Sequence, residues 1–336
     1  MKKKNLLILF FAVVMLTFSA CGSQNTDPIN TEESQTTQRT VTTETVRQTT
    51  EETKEETTSE VPVTTEEANE EDIMSEFEVL FEQKEVDLKE IGDFVKEHIG
   101  KVSAENASLM VLKMESHMMD RLSEMEENFS HQTVQKKFLE SFSSDIDLND
   151  PEDFNDSEIK ELIRTAKENG YKVDHAEGMF FPILDYAYLK NFSEYATPEV
   201  RDYIDILAIE TEQAFAKDAA LLIEWDEVIR RALMQEKYIK EYDQSERTDY
   251  VKALYARYVY ITLSGLDNTP LFDYETKTMK EEAKKAYEAA LNGNEQSEYI
   301  TMLSEFMELI EKNDYKLTDE ITAYRMDKLA SIIAFE

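Results

Sequence analysis

An all-α body, an irregular multi-helix bundle, is what this sequence predicts, and three observations carry the prediction. Glycine occurs 7 times in 336 residues, against a usual share of about 7%. That leaves little for the tight turns and phosphate loops of nucleotide-binding α/β folds and β-sandwiches. From about residue 73 onward, apolar residues recur three and four apart, the spacing of a helix face. Only YKVDHAEGMFFPI, residues 171–183, carries even a faint strand signal. No internal repeat of fixed period is present, so a regular solenoid is not expected.

The chain opens MKKKNLLILFFAVVMLTFSAC. Lys2, Lys3 and Lys4 form a positive front, an apolar run covers about 6–18, and Ser19 and Ala20 are small. The run is short for a membrane span, and the three-part pattern reads as a secretory signal. Phe18-Ser19-Ala20-Cys21 resembles the lipobox of bacterial lipoprotein precursors, with Phe18 standing where the family's pattern has an aliphatic residue. The resemblance covers the leader alone. It implies a thioether-linked diacylglyceride on Cys21, cleavage between Ala20 and Cys21, and anchoring on the outer face of the cell membrane. The alternative is a plain secretory signal or an uncleaved anchor, with Cys21 a free thiol. A lone cysteine has no internal disulfide partner, however, and an exported chain gains little from an exposed thiol. Two acyl chains also meet the requirement that stable anchoring takes more than one.

Residues 21–72 hold about fifteen threonines, and about fourteen acids against three bases. Such a stretch buries too little apolar surface to offset its ordering entropy, so a disordered acidic Thr/Glu-rich tether is expected. A neutral coil of this length spans about 40 Å, and self-repulsion extends it. A Ser/Thr-rich tract of this kind is also able to carry sugars as a stalk. Tethers of this composition after a lipobox look like those of Gram-positive lipoproteins, whose folded part works near or within the wall.

The expected helices of the body, 73–336, run roughly over 76–82, 86–100, 104–127, 131–143, 156–169, 184–194, 198–215, 218–242, 247–264, 277–292, 296–312 and 319–333, some merging to leave nine or ten. Their ends are punctuated. Asn155 precedes Glu158 by three residues, and Gly170 closes the same segment. Thr197 reads as an N-cap with Pro198 in the first helical position, and Gly293 follows the segment 277–292. In SEYITMLSEFMELIEKND, Tyr299, Ile300, Met302, Leu303, Phe306, Met307, Leu309 and Ile310 form a wide apolar stripe opposite acids. If the body divides in two, the acidic stretch 144–156 is the expected boundary.

Charge is the second strong fact. The chain has 36 basic and 72 acidic residues. Without the three leader lysines the mature chain carries about −39, of which about −28 falls on the body. Like charges repel, so nucleic acid and flat adsorption on anionic lipid are not expected; cations and basic partners are attracted.

Enzyme signatures are sparse. There is no Gly-x-Ser-x-Gly elbow, no His-Glu-x-x-His, no phosphate-cradling glycine loop and no paired Glu-x-x-His, and the histidines are His98, His117, His131 and His175. Hydrolysis by two carboxylates needs nothing else conspicuous and stays open. DIDLNDPEDFND sets Asp145, Asp147, Asn149 and Asp156 at calcium-loop positions, yet Asp150 stands where the sharp turn demands glycine and Glu152 where an apolar residue packs. A solvated acidic connector is expected there, with no metal. Met110, Met114, His117, Met118 and Met125 share a helix face with Leu109, Leu112 and Leu122; thioethers beside imidazole suit copper(I), but core packing is the expectation. No cofactor is expected.

Two segments interrupt the helical texture with Gly or Pro among aromatics and acids: EGMFFPILDYAYLKNF and SGLDNTPLFDYETKTM. Recognition residues concentrate in such loops. Phe180, Phe181, Asp185, Tyr186, Asp267, Phe272, Asp273 and Tyr274 are therefore the candidate binding residues, the alternative being that the rings plug the core. The expected role is a non-catalytic binding or assembly module contacting an envelope protein or wall component. The alternatives are a transporter's substrate-binding lipoprotein, which needs a deep pocket, and a wall hydrolase, which needs an acid pair beside a cleft.

Overall fold

The helical spacing becomes twelve α-helices in the computed structural model, which describes residues 69–82, 86–143, 145–293 and 297–333. The leader, Cys21 and nearly all of the expected tether lie outside the described residues. Helix α1 (Glu70–Glu82) starts six residues before its expected position, because Asn69 caps it and Glu70 is tied down. Glu70 Oε1 accepts from Ser103 N and Oγ and from Asn106 Nδ2, the last at 2.6 Å.

Helices α2 (Leu88–His98), α3 (Ala104–Ser130), α4 (Gln132–Ser141) and α5 (Ser157–Glu168) follow. Asp87 caps α2 and Ser103 caps α3 through side-chain oxygens that accept first-turn N–H groups, those of Glu90 and Asn106. The cap of α5 is Asp156, one residue beyond the expected Asn155. Gly170 ends that segment at φ +74, the left-handed conformation a glycine adopts most readily, and a Cβ there would meet Leu88 Cδ2 at 2.6 Å.

Strands β1 (Tyr171–Ala176) and β2 (Met179–Leu184) pair antiparallel in the stretch with the faint strand signal, with Tyr171 opposite Leu184 and His175 opposite Phe180. Then come α6 (Tyr186–Ser193) and α7 (Pro198–Glu212), the latter entered through Thr197 and Pro198 as expected. Between α7 and the next helix the sequence reading fails. Residues 218–224 were expected to open a helix, but β3 (Ala216–Lys217) and β4 (Ala220–Leu221) form a second hairpin and α8 (Trp225–Glu241) starts seven residues later. After α9 (Thr248–Ser264), β5 (Gly265–Leu266) and β6 (Thr269–Pro270) make a third. Helices α10 (Glu281–Leu291), α11 (Glu298–Lys312) and α12 (Asp319–Ile333) complete the fold.

Two apolar clusters hold these elements. The first gathers Phe77, Ile91, Val111, Phe138, Ile163 and Tyr186 with their neighbours, and takes Tyr238, Val251 and Leu254 from α8 and α9. The second gathers Trp225, Tyr258, Leu271, Tyr287, Tyr299 and Phe306. Helices α8 and α9, packed along each other, therefore serve both clusters. Each fully buried ring of this size contributes about 1.5–3 kcal/mol relative to exposure. Met110, Met114, Met118 and Met125 are buried in the first cluster, as the core-packing expectation has it. The described part of the expected boundary, 145–156, lies within that cluster's span, with Phe154 buried and Ile146 and Leu148 packed against it. The described residues form a single contact unit.

Candidate functional site

The three hairpins stand in contact, side by side. In the first, the turn residues Glu177 and Gly178 have φ +51 and +77; in the second, Asp218 and Ala219 have φ +50 and +56. Positive φ at both central residues is the tight two-residue turn whose twist suits paired strands. Lys217 of β3 reaches Asp174 of β1, Nζ to Oδ1, at 3.0 Å. The second and third hairpins join through three hydrogen bonds, one backbone to backbone and two between backbone and side chain. Asn268 N donates to Ala219 O at 2.8 Å, Asn268 Nδ2 donates to Asp218 O at 2.6 Å, and Leu221 N donates to Thr269 Oγ1 at 3.0 Å. The two loop segments singled out in the sequence are thus connected by a third that it did not reveal.

Both outer edges of the first hairpin are closed by amide side chains. Gln135, itself buried, accepts from Phe180 N at 2.9 Å and donates to Phe180 O at 2.7 Å. Asn149 does the same for Val173, accepting its N–H at 2.7 Å and donating to its carbonyl at 3.1 Å. Each amide takes the place of one residue of a neighbouring strand, leaving no template there for strand addition. Pro182, opposite Val173, lacks an N–H where that edge would otherwise present one. Asn149 is the fifth residue of the calcium-like loop and is committed to this clamp. Asp156 caps α5 and pairs with Lys137 at 2.9 Å, while Asp147 Oδ1 accepts from Asn149 N. Among the described residues no group of three or more His, Cys, Asp or Glu is placed to hold a metal ion.

The candidate residues divide between core and surface. Phe180 is buried and stacks on Phe138 at 4.9 Å, Phe272 is buried in the second cluster, and Tyr186 is fully buried. These three rings plug the core. Asp185, half-buried, caps α6 by accepting from Ala187 N. Asp273 accepts from Thr276 N and Glu275 N and from Lys280 Nζ, which hold its carboxyl far below the usual range. Phe181 is half-buried on the outward face of β2, opposite Asp174. Asp267 and Tyr274 are exposed, and the Tyr274 hydroxyl donates to Asp267 O at 2.9 Å, fixing a ring that is 61% exposed.

Around them the ridge shows side chains that the sequence did not single out. Met179 is 51% and Leu222 48% exposed, and Gln213 Nε2 holds the Leu222 carbonyl at 3.1 Å. Glu177, Asp218 and Asp267, one in each turn, are exposed and belong to no ion pair among the described residues. One sequence signal announces the hairpins in retrospect. Leu184-Asp185-Tyr186, which begins on the last residue of β2, and Ile223-Glu224-Trp225 and Phe272-Asp273-Tyr274, which come just after β4 and β6, each combine an apolar residue, an acid and an aromatic.

Beside the second hairpin lies an open depression of about 500 Å³ lined by Ile209, Glu212, Gln213, Glu227, Arg230 and Arg231. Both of its arginines are paired with its Glu227. Arg230 and Arg231 hydrogen-bond Glu227 and hold its carboxyl down to about 2. Arg231 also donates to Gln213 O and lies 3.5 Å from Glu210. A carboxyl held this low cannot serve as a general acid near neutral pH. Glu115 and Glu210 are pushed upward, chiefly by burial, but both are sealed under tyrosine hydroxyls: Tyr186 and Tyr203 donate to Glu115, and Tyr258 to Glu210. No helix among the described residues is long and apolar enough to cross a membrane. No family model, curated protein or solved structure matches the chain.

Proposed function

We propose that the protein is a lipid-anchored cell-envelope module, held through Cys21 on the outer face of the membrane, that binds a partner on its hairpin ridge without catalysing a reaction. The observation that supports this reading is the ridge itself. Three hairpins, bonded to one another, present Met179, Leu222 and Tyr274 to solvent on a scaffold fixed by two cores. Large exposed apolar side chains beside rigid backbone are what a recognition surface offers. The leader and its lipobox-like Phe18-Ser19-Ala20-Cys21 support the anchoring, and the acidic Thr/Glu-rich stretch acts as the tether.

The test is capture from the protein's own envelope. The mature protein and a Met179→Ser, Leu222→Ser, Tyr274→Ser variant are used as bait, each with and without calcium. Specific partners retained by the native protein and lost by the variant, with calcium irrelevant, are the expected result. Equal retention by both baits contradicts the assignment of the ridge.

A further inference from the structure

Resting on that reading, we infer that the ridge recognises a cationic amphipathic polypeptide segment, one in which lysine or arginine is interleaved with apolar residues. Each turn supplies an exposed carboxylate that belongs to no ion pair among the described residues, Glu177, Asp218 and Asp267 in sequence order. Each hairpin or its flank supplies a large exposed apolar group, Met179, Leu222 and Tyr274. Charge and apolar surface therefore recur together along the ridge, the complement of a segment that alternates cations with apolar side chains. Of the cations on the same elements, Lys217 is paired with Asp174 and Lys280 with Asp273, whereas Lys172 near the base of β1 and Lys277, exposed three residues after Tyr274, belong to no ion pair among the described residues.

The mode of binding follows from the clamps. Gln135 and Asn149 occupy the backbone of Phe180 and Val173, so a partner cannot extend the first hairpin by adding a strand. At that hairpin it has to be read by side chains and the turn. The bonds between hairpins hold those groups in place beforehand, which lowers the ordering cost of binding. The mature chain's formal charge of about −39 draws a cation in from a distance and turns polyanions away. Met179 supplies an adaptable apolar contact and Tyr274 a fixed one.

The experiment uses the mature chain with Cys21→Ser and follows the anisotropy of a labelled peptide of repeated Lys-Leu-Lys-Ala. Two control peptides replace Lys by Glu or Leu by Ser. The Lys-Leu peptide is expected to bind, the Glu peptide not to bind, and the Ser peptide to bind more weakly. Raising the salt should weaken all binding. Glu177→Gln, Asp218→Asn and Asp267→Asn together should lower affinity about tenfold or more. Glu308→Gln, Glu311→Gln and Asp327→Asn, exposed on α11 and α12, remove the same charge and should change it less than about twofold. Should the turn variant melt differently from the native protein, Met179→Ser with Leu222→Ser supplies the same comparison.

Equal losses in the two charge variants, or no binding by the native chain, overturn the inference. If the peptide fails while ridge substitutions still abolish capture from the envelope, the cationic partner falls and the binding module stands. Peptidoglycan fragments binding at the ridge in place of the peptide overturn it in the same way.

Discussion

Glu115 shows how a single residue acquires a role that its neighbours in sequence do not announce. In the sequence it is one acid among 72. In the fold its Oε1 accepts from Tyr186 Oη at 2.7 Å and Tyr203 Oη at 2.9 Å, and burial raises its carboxyl above the usual 4.5. The folded state therefore keeps a proton that the unfolded chain releases. This group's contribution to stability is full below pH 4.5 and is lost as pH rises through the elevated folded value. Glu115→Gln should remove that slope, seen as a flatter melting temperature from pH 4.5 upward. Gln135 was equally hidden, because an amide that mimics a strand is recognised only from the backbone it meets. Gln135→Leu strands Phe180 N and O and the Phe129 carbonyl, and should cost about 1–3 kcal/mol in urea unfolding. The expectation for Cys21 rests on wholly local context and lies outside the described residues.

At the scale of elements, long periodic segments were legible and short ones were not. Twelve helical segments were read, with merging expected to leave nine or ten helices; twelve stand among the described residues, because caps and short connectors keep the segments apart. The second hairpin was missed because its strands have two residues each, too few for a period of two to register. Its turn, Asp218-Ala219, also holds φ +50 and +56 without a glycine, so the usual turn signal is absent. The neighbouring AALLIEW then reads as the opening of a helix. Alanine is strained in this left-handed region, and Ala219→Gly should raise stability by up to about 1 kcal/mol. Gly265 is the reverse case. At φ +72, an added Cβ would meet Leu271 N at 2.4 Å and Thr269 O at 2.5 Å. Gly265→Ala should cost more than about 2 kcal/mol and disorder the third hairpin, read as lost amide protection over 265–271.

At the scale of the whole molecule, composition made the helical class legible, and leader and charge framed the expected location. The ridge was half legible: two of its three parts lay in the singled-out segments, but their meeting depends on the unseen hairpin between them. Residues such as Phe180, Phe272 and Tyr186 are aromatic for the sake of the core, and sequence has no means to separate them from an exposed ring such as Tyr274. The anchoring proposal predicts that Cys21→Ala releases the chain into the medium, with the native chain retained in the membrane fraction; retention of the variant would contradict it. The binding proposal, on which the rest depends, is most directly tested by photo-cross-linking in intact cells. A benzophenone amino acid replaces Tyr274 in one strain and Met326, exposed on α12, in another. Illumination should give a discrete higher-mass adduct from position 274 and none from 326. No adduct from 274, or equal yields from both positions, would contradict the account.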